Sequence, residues 1–386
     1  MRGHIEKRGP QRYKVRIFLG RDDNGKVIRR SKTIHGTLKD AQRALTELLQ
    51  QFNMNCLPEE HKLTVADYLA QWLANAAAGR VSERTLRDYR GMFDRYVLPE
   101  LGRLRLEALT PMAIQGLYTK MGRTISAHTG RPLSPRSIQY THRTLCQALK
   151  QAVRWRLLPN NPAELVDVPK QVKRQMLFLT PEQARAFLGA VEGAPHELYL
   201  AFLLSVGCRP SEARGLQWRD LDWKQHTAQI VRTVAETRQG ARQNTWTFAP
   251  CKTDGSHRTV SIPKTVMERL RFHQRQQEAE KMAAGEAYQN SGLVFCTTLG
   301  TPLNLSNVKR RSFHPVLAKA DLPRIRLYDL RHTYATLQLS AGQNPKIVAE
   351  QLGHSSVTLT LDVYSHAIPS LRQAAAEVAE QLLWAR

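Results

Sequence analysis

With 386 residues, 42% of them hydrophobic, the chain is long enough for two or three domains, each burying its own core. Lys and Arg number 57 against 33 Asp and Glu, and a net charge of +24 points to a polyanionic partner, nucleic acid first and an anionic membrane surface second. No run of about twenty apolar residues exists, and Met1–Arg8 lacks the apolar core of a signal peptide, so neither a membrane span nor export is expected and a cytoplasmic place on nucleic acid is. Five cysteines (Cys56, Cys146, Cys208, Cys251, Cys296) are odd in number, far apart and without a Cys-x-x-Cys pair, which predicts reduced packed thiols and no structural zinc.

The first element is a strand over residues 12–19, with Tyr13, Val15, Ile17 and Leu19 on one face and Arg12, Lys14, Arg16 and Phe18 on the other. Asp23-Asn24-Gly25 supplies a hairpin turn, a second strand runs from Lys26 to His35, and Thr37 opens a helix whose Leu38, Ala41, Leu45, Leu48 and Phe52 recur at helical spacing. Met1 to Gly36 holds eleven Lys/Arg against three Asp/Glu. Rather than a merely solvated basic surface, this predicts a two- or three-stranded ribbon that fits the DNA major groove, with Arg12, Lys14 and Arg16 directed at it.

Beyond a linker at Leu57-Pro58-Glu59-Glu60-His61-Lys62 the pattern becomes helical. Thr64 caps a helix bearing Val65, Leu69, Trp72 and Leu73, and Ser82 caps one with Leu86, Tyr89, Phe93 and Tyr96 inward. Thr110-Pro111 and Ser134-Pro135 start two more, the second ending near Trp155. The aromatics are expected in the core of a four-helix bundle, and Arg84, Arg87 and Arg90, with Arg95, on DNA phosphates. The aperiodic, basic stretch 167–176 marks a boundary. Thereafter helices are expected at 181–192, 196–206 and 210–217, strands at 227–234, 246–249 and 258–262, and helices again from 264.

Three separated pieces of this last segment carry chemistry. Arg209 stands at a Pro-marked helix start with Glu212 one turn later to hold its guanidinium, Lys252 lies beside an Asp-Gly turn expected at a hairpin tip, and Arg331 lies early in a helix. Each alone is ordinary. Together the Arg-x-x-Glu of Arg209 and Glu212, the Lys-Thr-x-x-Ser-x-Arg of Lys252 to Arg258, the Asp-Leu-Arg-His-Thr around Arg331, the Leu-Gly-His-Ser-Ser around His354 and the Tyr-Ser-His at Tyr364 resemble the tyrosine recombinases, the phage integrase family, in order and spacing. The resemblance covers the whole chain. It implies a multidomain fold: residues 1–56 as an arm-type DNA-binding domain of three-stranded sheet plus helix, 62–166 as an all-α core-type DNA-binding bundle, and 177–386 as a mainly-α catalytic domain with a small antiparallel sheet and a C-terminal docking helix at 369–384. One departure stands out: Tyr328 occupies the position, three residues before the second arginine, where the family most often has histidine.

By the same resemblance Tyr364 attacks the scissile phosphate, leaving a 3′-phosphotyrosyl enzyme and a free 5′-hydroxyl, without cofactor, metal or ATP because the bond energy stays in the protein linkage. Ionising a tyrosine of pKa near 10 at pH 7 costs about 4 kcal/mol. A cation about 4 Å away offsets roughly that much at an effective dielectric near 20, and the forked guanidiniums of Arg209 and Arg331 fit the equatorial oxygens of the transition state. Lys252 is the implied general acid, His354 a hydrogen-bond donor to a non-bridging oxygen, Tyr328 a stand-in for the usual histidine and His332 a buttress, while Tyr334 is expected in the core. The implied assembly is a homo-tetramer holding two DNA duplexes at core and arm attachment sites and passing through a Holliday junction, with an excisionase or DNA-bending proteins as accessories. Competing readings are a catalytically impaired DNA-binding regulator of the same fold, a type IB topoisomerase, a cellular dimer-resolving recombinase and an RNA-binding protein.

Overall fold

The computed structural model describes residues 3–21, 27–53, 63–126, 129–171, 176–239, 243–250, 257–363, 380 and 382–384. They fall into two compact units, Met1–Lys173 and Arg174–Arg386. The turn at 23–25, the linker at 57–62, Lys252, Tyr364, His366 and most of the segment 369–384 lie outside the described residues; of that last segment Leu382, Leu383 and Trp384 are exposed.

The first unit holds two separate cores. In one, strands β1 (Gly3–Gly9), β2 (Arg12–Arg21) and β3 (Val27–His35) form an antiparallel sheet in the order β1-β2-β3. Val15 and Ile17 on the inner face bury against Ala41 and Leu48 of α1 (Leu38–Asn53), whose start is capped by Thr37 and Asp40 bonding one another's backbone N–H groups. The period-2 reading of β2 therefore holds, and β1, whose residues do not alternate, adds a strand that the pattern did not reveal. The other core is the bundle of α2 (Val65–Trp72), α3 (Glu83–Met92), α4 (Leu98–Leu101), α5 (Pro111–Arg123) and α6 (Pro135–Arg154). Thr64, Ser82, Thr110 and Ser134 each accept a hydrogen bond from a first-turn amide, as their sequence positions predict. Tyr68, Trp72, Phe93 and Tyr118 are buried between the helices.

The second unit begins with α7 (Pro181–Val191), α8 (Glu197–Val206) and α9 (Pro210–Arg214). α8 is apolar nearly all round and buried nearly all round, which makes it the central helix of the unit. Strands β4 (Leu221–Asp222), β5 (Thr227–Ile230) and β8 (Arg258–Ser261) form one antiparallel sheet, and β6 (Arg232–Gln239) with β7 (Gln243–Pro250) a separate ribbon. One expectation changes here. The single strand expected over 227–234 is split at Val231 between two sheets. Among the described residues β7 pairs with β6 and β8 with β5, so the two belong to different sheets, and the hairpin tip expected at Lys252 lies outside the described residues. Helices α10 (Lys264–Ala284), α11 (Leu305–Val308), α12 (His314–Lys319), α13 (Asp329–Ser340), α14 (Pro345–Leu352) and α15 (Val357–Val363) complete the unit.

Candidate active site

Arg209 is positioned by the end of α8. Gly207 closes that helix at φ 73, where a Cβ would run into the Tyr334 ring, so glycine is needed on both conformational and steric grounds. Tyr334 itself is half-buried and packs against the small core of Ala335, Leu339, Val348 and Leu352. The chain leaves Gly207 extended, and Pro210 then starts α9 with Arg209 as its N-cap. Glu212, at the third position of α9, accepts from the Arg209 amide at 2.9 Å and from its Nη1 at 2.6 Å.

The same carboxylate, only 2% exposed, also pairs with Arg258 Nη2 at 2.8 Å. Arg258 is a residue that motif reading quoted without assigning a role. The signal was present in β8, where Arg258 lies on the same face as the buried Val260 and so points its charge inward. Burial pushes the Glu212 carboxyl up, but the hydrogen bond and charge of Arg258, then Arg209, outweigh it and hold the group below the usual carboxylate range.

The C-terminus of α14 gathers the guanidiniums. Arg258 Nε donates to the Gln351 carbonyl at 2.7 Å, Arg331 Nη2 to Leu352 at 2.6 Å and Arg209 Nη2 to Gly353 at 3.3 Å. These are three consecutive carbonyls of the kind a helix end leaves without intrahelical partners, at the negative end of its dipole. Gly353 caps α14 at φ 68, and a Cβ there would come within 2.9 Å of the Arg258 side chain. Arg331, near the start of α13, is 1% exposed and also donates from Nη1 to the Gly207 carbonyl at 3.1 Å. Its Nε is buried and has no hydrogen-bond partner among the described residues. Burial and the charge of Arg209 lower its pKa, yet guanidinium remains the charged form at neutral pH.

His354 follows Gly353. Its Nδ1 lies 2.7 Å from the Thr360 hydroxyl, and burial, then Arg331, Arg209, His332 and Arg258, lower the imidazole to about 4, so it is neutral at pH 7. Tyr328 is 38% exposed, stacks edge-on against His332 with ring centres 5.2 Å apart, and lies beside Arg209, whose pKa it helps to raise. A recess of about 240 Å³ lined by Arg209, Ser211, Lys309 and Tyr328, with Pro210, Leu305 and Leu327, opens beside them. A larger cavity of about 760 Å³, with His196, Arg269 and Phe272 in its wall, contains none of these residues.

The fold thus brings Arg209, Glu212, Tyr328, Arg331, His332 and His354 together with Arg258 and Thr360, the two that sequence reading missed. Arg12, Lys14 and Arg16 sit on β2, where Arg16 is paired with Glu6 at 2.8 Å, and Arg84, Arg87 and Arg90 are exposed along α3. Among the described residues no cluster of three or more His, Cys, Asp or Glu is placed to hold a metal ion, and the cysteines Cys146, Cys208 and Cys296 are free thiols. Burial pushes the Cys208 thiol up to about 12, which leaves it protonated and inert beside Arg209. No helix among the described residues is long and apolar enough to cross a membrane.

Chemically, the arrangement is an anion site: three guanidiniums against one carboxylate, with a neutral imidazole alongside, preorganised before any anion arrives. Residues 177–370 match the phage integrase family, and residues 64–122 the phage integrase N-terminal SAM-like domain. The chain is 29% identical to a tyrosine recombinase XerC-like protein of Caldanaerobacter subterraneus subsp. tengcongensis, over 97% of each chain. It is 30% identical to an integrase of Streptomyces ambofaciens, over 97% of this chain and 93% of that one. Among solved structures it is similar in fold to the Tn1549 transposon integrase in complex with transposon right end DNA, with a TM-score of 0.66 at 22% identity over 82% of this chain and 100% of the other.

Proposed function

The chain belongs to the phage integrase family, and we propose that it is a site-specific DNA integrase that uses Tyr364 as its nucleophile. The observation that carries this reading is the seating of Arg258, Arg331 and Arg209 on three successive carbonyls at the end of α14, next to a neutral His354. Arg209 and Arg331 grip the non-bridging oxygens of the scissile phosphate, where charge grows in the transition state. Tyr364 loses its phenolic proton to water and its Oη bonds to phosphorus as the bond from phosphorus to the 5′-oxygen breaks, and Lys252 gives that oxygen a proton. His354 donates to a non-bridging oxygen. Tyr328, beside Arg209, flanks the guanidinium as the usual histidine would, and His332 packs behind it. Glu212 and Arg258 do not touch the phosphate; they hold the residues that do.

Residues 1–56 serve as the arm-type binding domain, 62–166 as the core-type domain and 177–386 as the catalytic domain. Arg12, Lys14 and Arg16 contact the arm sites, and Arg84, Arg87 and Arg90 the core site. Exchanging both strands of two duplexes requires four cleavages, and one nucleophile per protomer makes the working unit a tetramer. The segment 369–384 docks on a neighbouring protomer in that ring. Direction is set by excisionase-like or DNA-bending accessory proteins, and the work is done on cytoplasmic DNA.

The test is recombination in vitro between two plasmid-borne attachment sites, taken from the DNA flanking the integrated element. With EDTA present and ATP absent, joined recombinants without free ends are expected. Recombination that stopped in EDTA, or that required ATP, would contradict the reading.

A further inference from the structure

We propose that the Thr360 hydroxyl donates its proton to His354 Nδ1 and so fixes the imidazole in the tautomer that turns Nε2–H toward the scissile phosphate, which makes Thr360 a positioning residue for strand cleavage. The inference rests on the functional reading above. Thr360 lies on α15, is 0% exposed, and its hydroxyl is 2.7 Å from Nδ1. Among the described residues, the groups that act most on the ring from other elements are Arg331 and His332 of α13, Arg209 ahead of α9 and Arg258 of β8. None is an acid, so with burial they keep the ring neutral and leave it a single N–H.

Against an anionic phosphoryl oxygen that N–H attracts, whereas a bare ring lone pair repels. A neutral His354 therefore serves the phosphate in only one of its two tautomers. A threonine hydroxyl can donate or accept, and only donation to Nδ1 leaves Nε2–H for the substrate. The competing arrangement is the common helical one, in which the hydroxyl bonds the carbonyl four residues back, here that of Ser356. Thr360 would then accept from Nδ1–H, and Nε2 would present its lone pair.

The tautomer is read directly from the 15N shifts of His354 in histidine-labelled full-length protein at pH 7. A bare Nδ1 and a protonated Nε2 are expected in the parent and in Thr360→Ser, and a mixture in Thr360→Val. In single-turnover cleavage of a nicked core-site substrate, Thr360→Val should lose between about 10- and 100-fold, with Thr360→Ser close to the parent. On a substrate whose non-bridging oxygen is replaced by methyl, the gap between Thr360→Val and the parent should close. A protonated Nδ1 in the parent, or an equal loss by Thr360→Val on both substrates, overturns the proposal. Failure of the parent to cleave either substrate would instead overturn the functional reading, because the tautomer is measured without DNA.

Discussion

Glu212 holds two arginines with one carboxylate almost out of reach of water, and removing one partner of such a cluster costs more than the cluster contributes. Glu212→Gln keeps the shape and leaves Arg258 buried without its counter-charge, so a loss of about 3–5 kcal/mol is expected in chemical unfolding. The pH dependence has two windows. Glu212 has a lowered pKa in the folded chain, so its stabilisation is complete above the ordinary carboxylate range and is lost as pH falls through the lower folded value. His354, held at about 4 against 6.5 when unfolded, takes up a proton more readily in the unfolded chain, so stability declines as pH drops from 6.5 toward 4. His142, His196, His314 and His332 are lowered by burial as well, so His354→Gln should reduce the slope of the upper window and Glu212→Gln that of the lower one; unchanged profiles would contradict these assignments. Arg209, Glu212, Arg331 and His354 were legible because their motifs recur in order. Arg258 is less legible because an arginine in a strand reads as solvated unless the buried neighbour on its face is considered, and Thr360 because a threonine in a short helix carries no motif.

The end of α14 is where elements matter more than residues. Three carbonyls that every helix leaves unpaired become a receptor for three guanidiniums, and Gly353 makes the turn possible. Gly353→Ala asks alanine to adopt a left-handed conformation costing about 1–2 kcal/mol and pushes its Cβ into the Arg258 side chain. Cleavage should fall at least tenfold while DNA binding, proposed for the exposed arginines of α3, is retained; loss of binding with unaltered cleavage per bound complex would place the effect elsewhere. Helix starts were readable because a cap is local: Thr64, Thr110, Ser134 and Thr180 bond amides only a few residues away. Sheet pairing was not, since β7 and β8 are neighbours in sequence but pair with β6 and β5 through contacts that no local pattern records. The π-helical turns that continue α2 and α3, Leu73–Ala77 and Phe93–Val97, are likewise invisible to a 3.6-residue period.

At the scale of the whole molecule, the proposed domain assignment divides the +24 charge among segments with separate tasks, and the salt dependence of binding tests that division. Deleting residues 1–55 removes the basic β1-β2-β3 sheet. Binding to arm sites should weaken and the slope of log K against log salt flatten, while cleavage of a core-site substrate survives; equal binding to both site types by the truncated chain would contradict the arm assignment. The order of the segments was legible from composition and motif spacing, but the meeting of Arg209 with Gly353 across 144 residues belongs to the fold alone. All of these assignments depend on one covalent bond. A nicked suicide duplex carrying the crossover site, incubated with the full chain in EDTA without ATP, should trap a protein–DNA adduct whose 3′-phosphate is on the peptide containing Tyr364, and Tyr364→Phe should abolish it. An adduct that persists in that variant, or maps to another residue, would contradict the account at its centre.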